Sequence, residues 1–253
     1  MRRTTAFKVL LGVLAGGALI LIAGREGRQA RSLVATAVVI GLFLALVRWR
    51  DRPRQEAMES EARRLGVRFS AEDRFGLLAQ SFQLFRSTRR SYGEIGNVLS
   101  GSWHDLEVRA FDHSYSVSED ERRLLSCAQI AIPGGWPALV IRPETGLARL
   151  ADIAVPDIAV ESEAFNRAFV VRCHDRAFAS AVVDPRMMEW LESLGHRWGF
   201  EIDGRWVLGY RDQVQPWEIE SVLETVETFI RRIPRVVTSL YPEAIPPRPD
   251  VPA

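Results

Sequence analysis

The chain has 253 residues, 47% of them hydrophobic and 26% charged, which suits one ordinary domain with an anchor. Its net charge of +1 is divided unevenly. Met1–Arg54 contains ten basic and two acidic residues, a net charge of +8, which leaves −7 for Gln55–Ala253. An acidic domain without a basic stripe argues against nucleic acid as a partner.

Two uncharged segments near the N-terminus, Val9–Gly24 and Ser32–Val47, predict membrane insertion. Each has 16 residues, and at ~1.5 Å per residue a helix of that length spans about 24 Å. Flanking apolar residues and snorkelling cations can extend it towards a ~30 Å hydrocarbon core. Buried helices of a soluble protein are the alternative, but these rarely come as two uncharged segments separated by an Arg-rich loop. We therefore expect a two-helix transmembrane hairpin.

The basic residues around the hairpin predict its orientation. Seven cations flank the two segments on the outside and three lie in the connecting loop, Arg25–Arg31. The positive-inside rule then places both termini and the soluble domain in the cytoplasm. A cleaved signal peptide in the first segment is an alternative, and it leaves the C-terminal domain on the same side.

The rest of the chain predicts an α+β domain with a mostly antiparallel sheet. We expect the domain organisation to be 1–54 hairpin, 55–69 helical stalk, 70–240 soluble α+β domain and 241–253 disordered tail, the last with five prolines. Strands are predicted where β-forming residues lie between Gly, Pro and Asp clusters. They are Asn97–Leu99, Asp105–Tyr115, Leu124–Ile132, Ala138–Arg142 and Ala168–Cys173, followed by a hairpin of Trp198–Ile202 and Arg205–Tyr210 around Asp203-Gly204.

Helices are predicted from capping residues and apolar spacing. Ser70 with Asp73 is expected to begin one helix, Asp175 a second, and Asp184-Pro185 a third. Pro216 is expected to begin a long amphipathic helix that ends at Pro234. Antiparallel strands closed by such a helix suggest a pleckstrin-homology-like barrel.

A resemblance to a known group of proteins rests on several stretches. These are Glu161–Val171, the Asp184–Met188 run, Asn97–Gly101 and Phe111–Tyr115, within a region from about Phe75 to Arg232. They resemble uncharacterised, mostly actinobacterial, membrane-anchored proteins of unknown function. The resemblance implies a shared fold and an anchor, and no activity, cofactor or site residue.

Polar residues that could bind a metal do not converge in the predicted strands. His104 and Asp112 share one face of the predicted strand, and Asp105 and His113 share the other. Each pair is about 26 Å apart at ~3.3 Å per residue, too far for a common metal ion. We expect no metal site and no cofactor.

No pattern of catalytic residues stands out. Cys173-His174-Asp175 lies along a strand, where neighbouring side chains point to opposite faces. Ser100 lacks the flanking glycines of a nucleophile elbow. Cys127 and Cys173 are each predicted to be a buried free thiol. We therefore assign no catalytic, cofactor-binding or metal-binding residue.

The sequence favours a membrane-tethered cytoplasmic domain without catalytic activity, which binds a protein or small ligand at the surface of the lipid bilayer. The alternative is a membrane-associated hydrolase that uses polar residues around Asp112, His113 and Glu163. The identity of the partner and the oligomeric state stay open.

Overall fold

The computed structural model describes residues 41, 52–118, 121–144, 158, 160 and 162–241. The two predicted membrane segments lie outside these residues, except for Gly41, which is helical. Among the described residues, no helix combines the length and the apolar character needed to span a bilayer. The chain divides into two compact units, Met1–Arg54 and Gln55–Ala253, and the second is described here.

The second unit is an α+β domain. Helix α1 covers residues 52–64, of which 55–64 belong to this unit. The strands are β1 Arg68–Glu72, β2 Glu94–Trp103, β3 Leu106–Ser116, β4 Arg122–Pro143, β5 Phe169–Cys173 and β6 Gly199–Asp212. The further helices are α2 Gln83–Thr88, α3 Glu163–Ala168, α4 Arg176–Val182, α5 Pro185–Ser193, α6 Ile219–Arg232 and α7 Arg235–Leu240.

The described strands form one antiparallel sheet in the order β1-β2-β3-β4-β5, and β6 pairs with β4. This confirms the predicted fold class in its main terms, an α+β domain with an antiparallel sheet and a C-terminal helix.

The two longest strands contradict the predicted turns. β4 continues without a break for 22 residues across Pro133-Gly134-Gly135. β6 likewise continues across Asp203-Gly204, so the hairpin predicted around these two residues is wrong. The β4–β6 register shifts on both sides of the pair Trp136–Gly204. Residues that usually interrupt a strand therefore form bulges in this sheet. β4 and β6 both depart from regular strand geometry around the pair Trp136–Gly204, so the two strands bend together there.

A tight turn joins β2 to β3 at His104 and Asp105, which the sequence pattern predicts on the strand of Asp112. Trp103 pairs with Leu106, and the two residues between them, His104 and Asp105, have φ angles of 48° and 63°. Two positive φ angles in a two-residue hairpin loop define a type I′ turn. His104 and Asp105 therefore do not lie on the strand of Asp112.

The helix predicted to begin at Ser70 does not form. Ser70 lies in β1 opposite Val98, and the Asp73 carboxylate accepts a hydrogen bond from the Phe75 amide at 2.9 Å. Gly76, with φ of 62°, interrupts any continuous helix. Only short helical turns follow, at Leu77–Ala79, α2 and Arg89–Ser91.

Helix α1, expected to be a solvated stalk, is part of the compact unit. Met58 and Ala62 are 0% and 1% exposed and belong to the main core. The predicted ion pair between Glu59 and Arg63 is present at 3.3 Å.

The predicted helix starts are confirmed where a local cap defines them. Asp175 accepts a hydrogen bond from the Phe178 amide at 2.9 Å and begins α4, and Asp184 accepts from Met187 at 2.8 Å and begins α5. Pro216 begins a turn of 3₁₀ helix that leads into α6. A further short helix, α7, follows Pro234.

The two faces of the sheet carry separate apolar clusters. The helical face, which carries residues such as Phe200 and Val108, packs against α1 and α3 to α7. The opposite cap face is covered by the cap segment, residues 77–91. The cap-face cluster consists of Leu77, Phe82, Leu84, Phe85, Val98, Phe111, Tyr115, Leu125, Cys127, Leu208 and Tyr210.

Candidate functional site

The bend in β6 creates the most unusual contact on the cap face. Gly199 and Tyr210 are eleven positions apart on the same strand, about 36 Å if the strand were straight at ~3.3 Å per residue. Yet a Cβ atom on Gly199 would lie 2.2 Å from Cζ of Tyr210. The strand therefore curls until its two ends meet, helped by Gly204 with φ of 58°, and only glycine fits at position 199.

A cavity of about 190 Å³ opens where these ends meet. At ~30 Å³ per water molecule it has room for roughly six waters. We call it the arginine cleft. It is lined by Tyr115, Arg123, Leu125, Pro143, His196, Arg197, Gly199, Tyr210, Arg211 and Asp212.

The strand pairing explains why several of these residues meet. Tyr115 lies directly opposite Arg123, and Leu125 directly opposite Asp212, so all four side chains share the cap face. His196 and Arg197 come from another direction. They follow Gly195, which ends the helical region of α5 with φ of 70° and turns the chain back towards β6.

The charges at the arginine cleft are mixed. Among its described lining residues, Arg123 and Arg197 are cationic and Asp212 is acidic, whereas the side chain of Arg211 points to the helical face, because its neighbours Tyr210 and Asp212 point to the cap face. Arg197 is exposed and has no ion pair among the described residues, whereas Arg123 reaches Glu121 at 3.0 Å on the surface. The guanidinium of Arg211 lies over the Trp198 ring at 5.2 Å, and its buried Nε has no hydrogen-bond partner in the described part of the chain.

Two tyrosines at the cleft remain neutral near physiological pH. Burial raises the pKa of Tyr115 to about 12 and raises the pKa of Tyr210 well above its usual range. Both residues are less than 5% exposed. Their phenol groups therefore stay protonated and can donate hydrogen bonds to a ligand.

A buried carboxyl group near the cleft holds the cap segment in place. Glu201 is 2% exposed and accepts hydrogen bonds from the amides of Gln83 at 2.5 Å and Leu84 at 2.9 Å. Helix α2 has no side-chain cap of its own, so Glu201 of β6 supplies the cap from the cap face of the sheet. Burial raises the Glu201 pKa to about 8, although the two amides and Arg142 act in the opposite direction.

A buried histidine anchors the other end of the cap segment. Nδ1 of His113 donates to the carbonyl oxygen of Glu94 at 3.0 Å, and Nε2 lies 2.9 Å from the Thr88 hydroxyl oxygen. Burial lowers the His113 pKa to about 4, so the ring is neutral at physiological pH. Both ring nitrogens are thus occupied by structural contacts.

The residues of the hydrolase alternative do not meet. Asp112 accepts a hydrogen bond from Asn97 at 2.8 Å, and its neighbour His113 points to the opposite face of β3. Glu163 lies in the first turn of α3, which packs on the helical face through Phe165. The structure therefore separates these three residues between the two sides of the sheet.

The remaining polar candidates also have structural roles. His104 stacks on Trp103 with ring centroids 3.8 Å apart and lies 3.2 Å from the Glu227 carboxylate. Within the described ranges, no group of three or more metal-ligating side chains converges. Cys127 and Cys173 are buried free thiols, as predicted, and burial raises the pKa of each.

Comparison with known proteins shows the fold. No protein-family model matches the sequence, and no curated protein matches it. Among solved structures, the chain shares its α+β fold with a mycobacterial protein. That protein is the mycobacterial trehalose monomycolate transport factor A, TtfA, with a TM-score of 0.54 and 14% sequence identity over 72% of this chain and 97% of that chain. The mycobacterial source agrees with the actinobacterial character of the sequence resemblance.

Proposed function

We propose that the chain is a membrane-tethered accessory protein whose folded unit binds a ligand or partner protein at the cytoplasmic surface and does not catalyse a reaction. The two-helix transmembrane hairpin is part of this proposal, and so is the cytoplasmic side. The pleckstrin-homology-like layout stays a prediction.

The observation that carries the proposal is how the domain uses its buried polar groups. Glu201 caps α2, His113 bridges the cap segment to β2, and Asp112 binds Asn97. A general acid or base needs a free lone pair or proton directed at a substrate. These groups use theirs to hold the fold, while the arginine cleft is lined by exposed Arg197 and by two tyrosines whose hydroxyl groups stay protonated, which suits binding.

The fold likeness supports an accessory role in transport. The solved neighbour is a transport factor for trehalose monomycolate, and the shared fold spans 97% of that chain. We infer that this chain assists the movement of an amphiphilic molecule at the membrane in a comparable way. The +8 charge of Met1–Arg54 favours contact with anionic head groups on the cytoplasmic leaflet.

Topology and membrane insertion are tested with reporter fusions at Pro242. A reporter that is active only in the cytoplasm is expected to work, and a reporter that needs export is expected to be inactive. Carbonate washing should leave the chain in the membrane fraction. Activity of the exported reporter would move the domain to the other side, and release by carbonate would remove the anchor.

The accessory role is tested by isolating the full chain from native membranes in mild detergent. We expect transport components of the membrane to copurify, and depletion of the chain to leave an amphiphile on the cytoplasmic side. Turnover of generic ester or phosphoester substrates by the purified chain, lost in His113→Gln, would instead support the hydrolase.

A further inference from the structure

We propose that β1, Arg68–Glu72, is an interface at which two copies of the chain pair strand to strand, in antiparallel orientation about a twofold axis at Ser70. This inference goes beyond the proposed function, and it holds on either side of the membrane. Neither the sequence resemblance nor the fold likeness assigns an interface here.

The edge position of β1 is the first argument. In the part of the chain that the structure describes, β2 is the only strand that pairs with β1. An edge strand presents backbone amides and carbonyls to a further strand along its free side. Arg68, Ala71 and Glu72 are exposed and Ser70 is half-buried. The Ser70 hydroxyl donates to the Glu72 carbonyl oxygen at 2.8 Å, which leaves a second lone pair of that oxygen for a partner strand.

The other strands at the margins of the sheet are covered or buried. On β5, the Val171 carbonyl oxygen accepts a hydrogen bond from the Ile158 amide at 2.8 Å, so a neighbouring segment occupies that side. Among the described strands β6 pairs only with β4, but most of its residues are buried and the strand curls back on itself. Within the described ranges, β1 has neither form of protection.

The pattern of side chains along β1 is the second argument. Phe69 packs against the cluster of the helical face, so Arg68, Ser70 and Glu72 point to the cap face. In two antiparallel copies paired at Ser70, each Arg68 lies directly opposite the Glu72 of the partner subunit. Side chains directly opposite have Cβ atoms about 4.5–5.5 Å apart, close enough for an ion pair. Phe69 and Ala71 meet in the same way, a large side chain opposite a small one.

The two charges of β1 have no partner within the described part of the chain. There, the side chains of Arg68 and Glu72 form no ion pair and no hydrogen bond, whereas Arg64 of the neighbouring helix pairs with Glu61 at 2.7 Å. Charges at a sheet edge commonly prevent pairing, because like charges repel. In β1 the charges have opposite signs at positions that meet in self-pairing, so they favour it.

The interface is small. Two strands of five residues bury less surface than the ~1,600 Å² of a typical stable complex. We therefore expect a weak dimer that forms where the chains are concentrated in one membrane and dissociates on dilution in detergent. The backbone hydrogen bonds supply attraction, and the two ion pairs fix the register.

The test is disulfide cross-linking of the full chain in native membranes. Ser70→Cys places two thiols opposite each other on the twofold axis, within the range that a disulfide spans. Mild oxidation should give a product of twice the chain's mass that reduction reverses. Cys127 and Cys173 are buried, so the oxidised wild type should stay a monomer. Arg186→Cys, exposed on α5, is the matched control and should give at least about tenfold less dimer.

Exchange of the two charges tests the register. In the Ser70→Cys chain, Arg68→Glu places two carboxylates opposite each other on both sides of the axis, and Glu72→Arg does the same with two guanidinium groups. Each change should weaken association about tenfold. The double change Arg68→Glu/Glu72→Arg recreates opposite charges and should restore the dimer. Coexpression of the two single variants, distinguished by tags of different length, should restore it as a heterodimer.

The results decide the occupant of the edge. No dimer from Ser70→Cys, as much dimer from Arg186→Cys, or a double exchange as weak as the single ones would refute self-pairing. A cross-link to a protein of another mass would refute the second copy and show a strand of a different partner at β1. The reporter fusions at Pro242 are scored separately, so loss of the β1 interface leaves the membrane proposal standing, and an active exported reporter leaves the interface standing.

Discussion

The two faces of the sheet differ in how they are stabilised. On the helical face, long apolar side chains from α6 and the neighbouring helices pack directly, as in the stacked rings of Phe200 and Phe229, whose centroids are 4.5 Å apart. On the cap face, short helical turns are held by polar side chains from the sheet, notably Glu201 and His113. The first arrangement relies on apolar packing, and the second relies on hydrogen bonds from buried titratable side chains.

The difference follows from element length. Helix α6 has 14 residues and presents a continuous apolar stripe. This stripe packs in the apolar cluster of the helical face. The first amides of any helix lack partners within the helix, and α2, with six residues, has no side-chain cap of its own, so Glu201 of the sheet supplies the acceptor.

The largest effect is expected on the helical face. Replacing Phe229 by Ala removes a ring that is 0% exposed and should lower the free energy of unfolding by about 3–5 kcal/mol. The measurement is denaturant unfolding of the full chain in detergent. Val236→Ala, at a side chain 53% exposed on α7, serves as the control and should change stability by less than about 0.5 kcal/mol. Similar losses in both variants would contradict the core described for α6.

The next effect is a pH dependence from Glu201. Its pKa of about 8 exceeds the usual value near 4.5, so the folded state holds a proton that the unfolded state releases between these values. Stability should therefore fall as pH rises from about 5 to 8, by an order of 2–3 kcal/mol. Glu201→Gln should flatten this slope in unfolding experiments at several pH values. An unchanged slope would show that the carboxyl group is already ionised in the fold.

His113 should produce a smaller slope of opposite sign. Its pKa of about 4 lies below the usual 6.5, so stability is lost as pH falls from 6.5 through 4, by about 1–2 kcal/mol. His113→Gln should remove this acid sensitivity, although the loss of ring packing on Phe85 will lower stability at all pH values. The observable is the change in slope with pH. If the wild type is insensitive in this range, the histidine is not buried as described.

The smallest effect concerns the β2–β3 turn. Asp105 has φ of 63°, a conformation that glycine adopts without steric cost. Asp105→Gly should raise stability by about 0.5 kcal/mol, since an X-Gly pair suits a type I′ turn. Glu107→Gly, within β3, is the matched control and should lower stability. Thermal melting of both variants checks the turn.

Local capping chemistry made part of the fold predictable. Asp175 and Asp184 begin the predicted helices because each cap bonds an amide three residues ahead, which needs no distant partner. Gly204 and the Pro133-Gly134-Gly135 run predict turns, but in the structure they bend two paired strands. Whether such residues form a turn or a bulge depends on the partner strand, which a local pattern does not contain.

The arginine cleft was not predicted for a related reason. Arg123 belongs to β4 and Arg197 to the connection after α5, and the curl of β6 brings both to the same cavity. The Asp203-Gly204 hairpin expected from the sequence would also have placed Arg197 near Tyr210. That nearness is the one signal in the sequence that points to this cavity.

Native-state hydrogen exchange of the full chain in detergent tests the contrast between the two faces most directly. The account predicts that residues 77–91 exchange through a local opening well before α6 does. Exchange of the cap segment and α6 in one cooperative step would contradict the account.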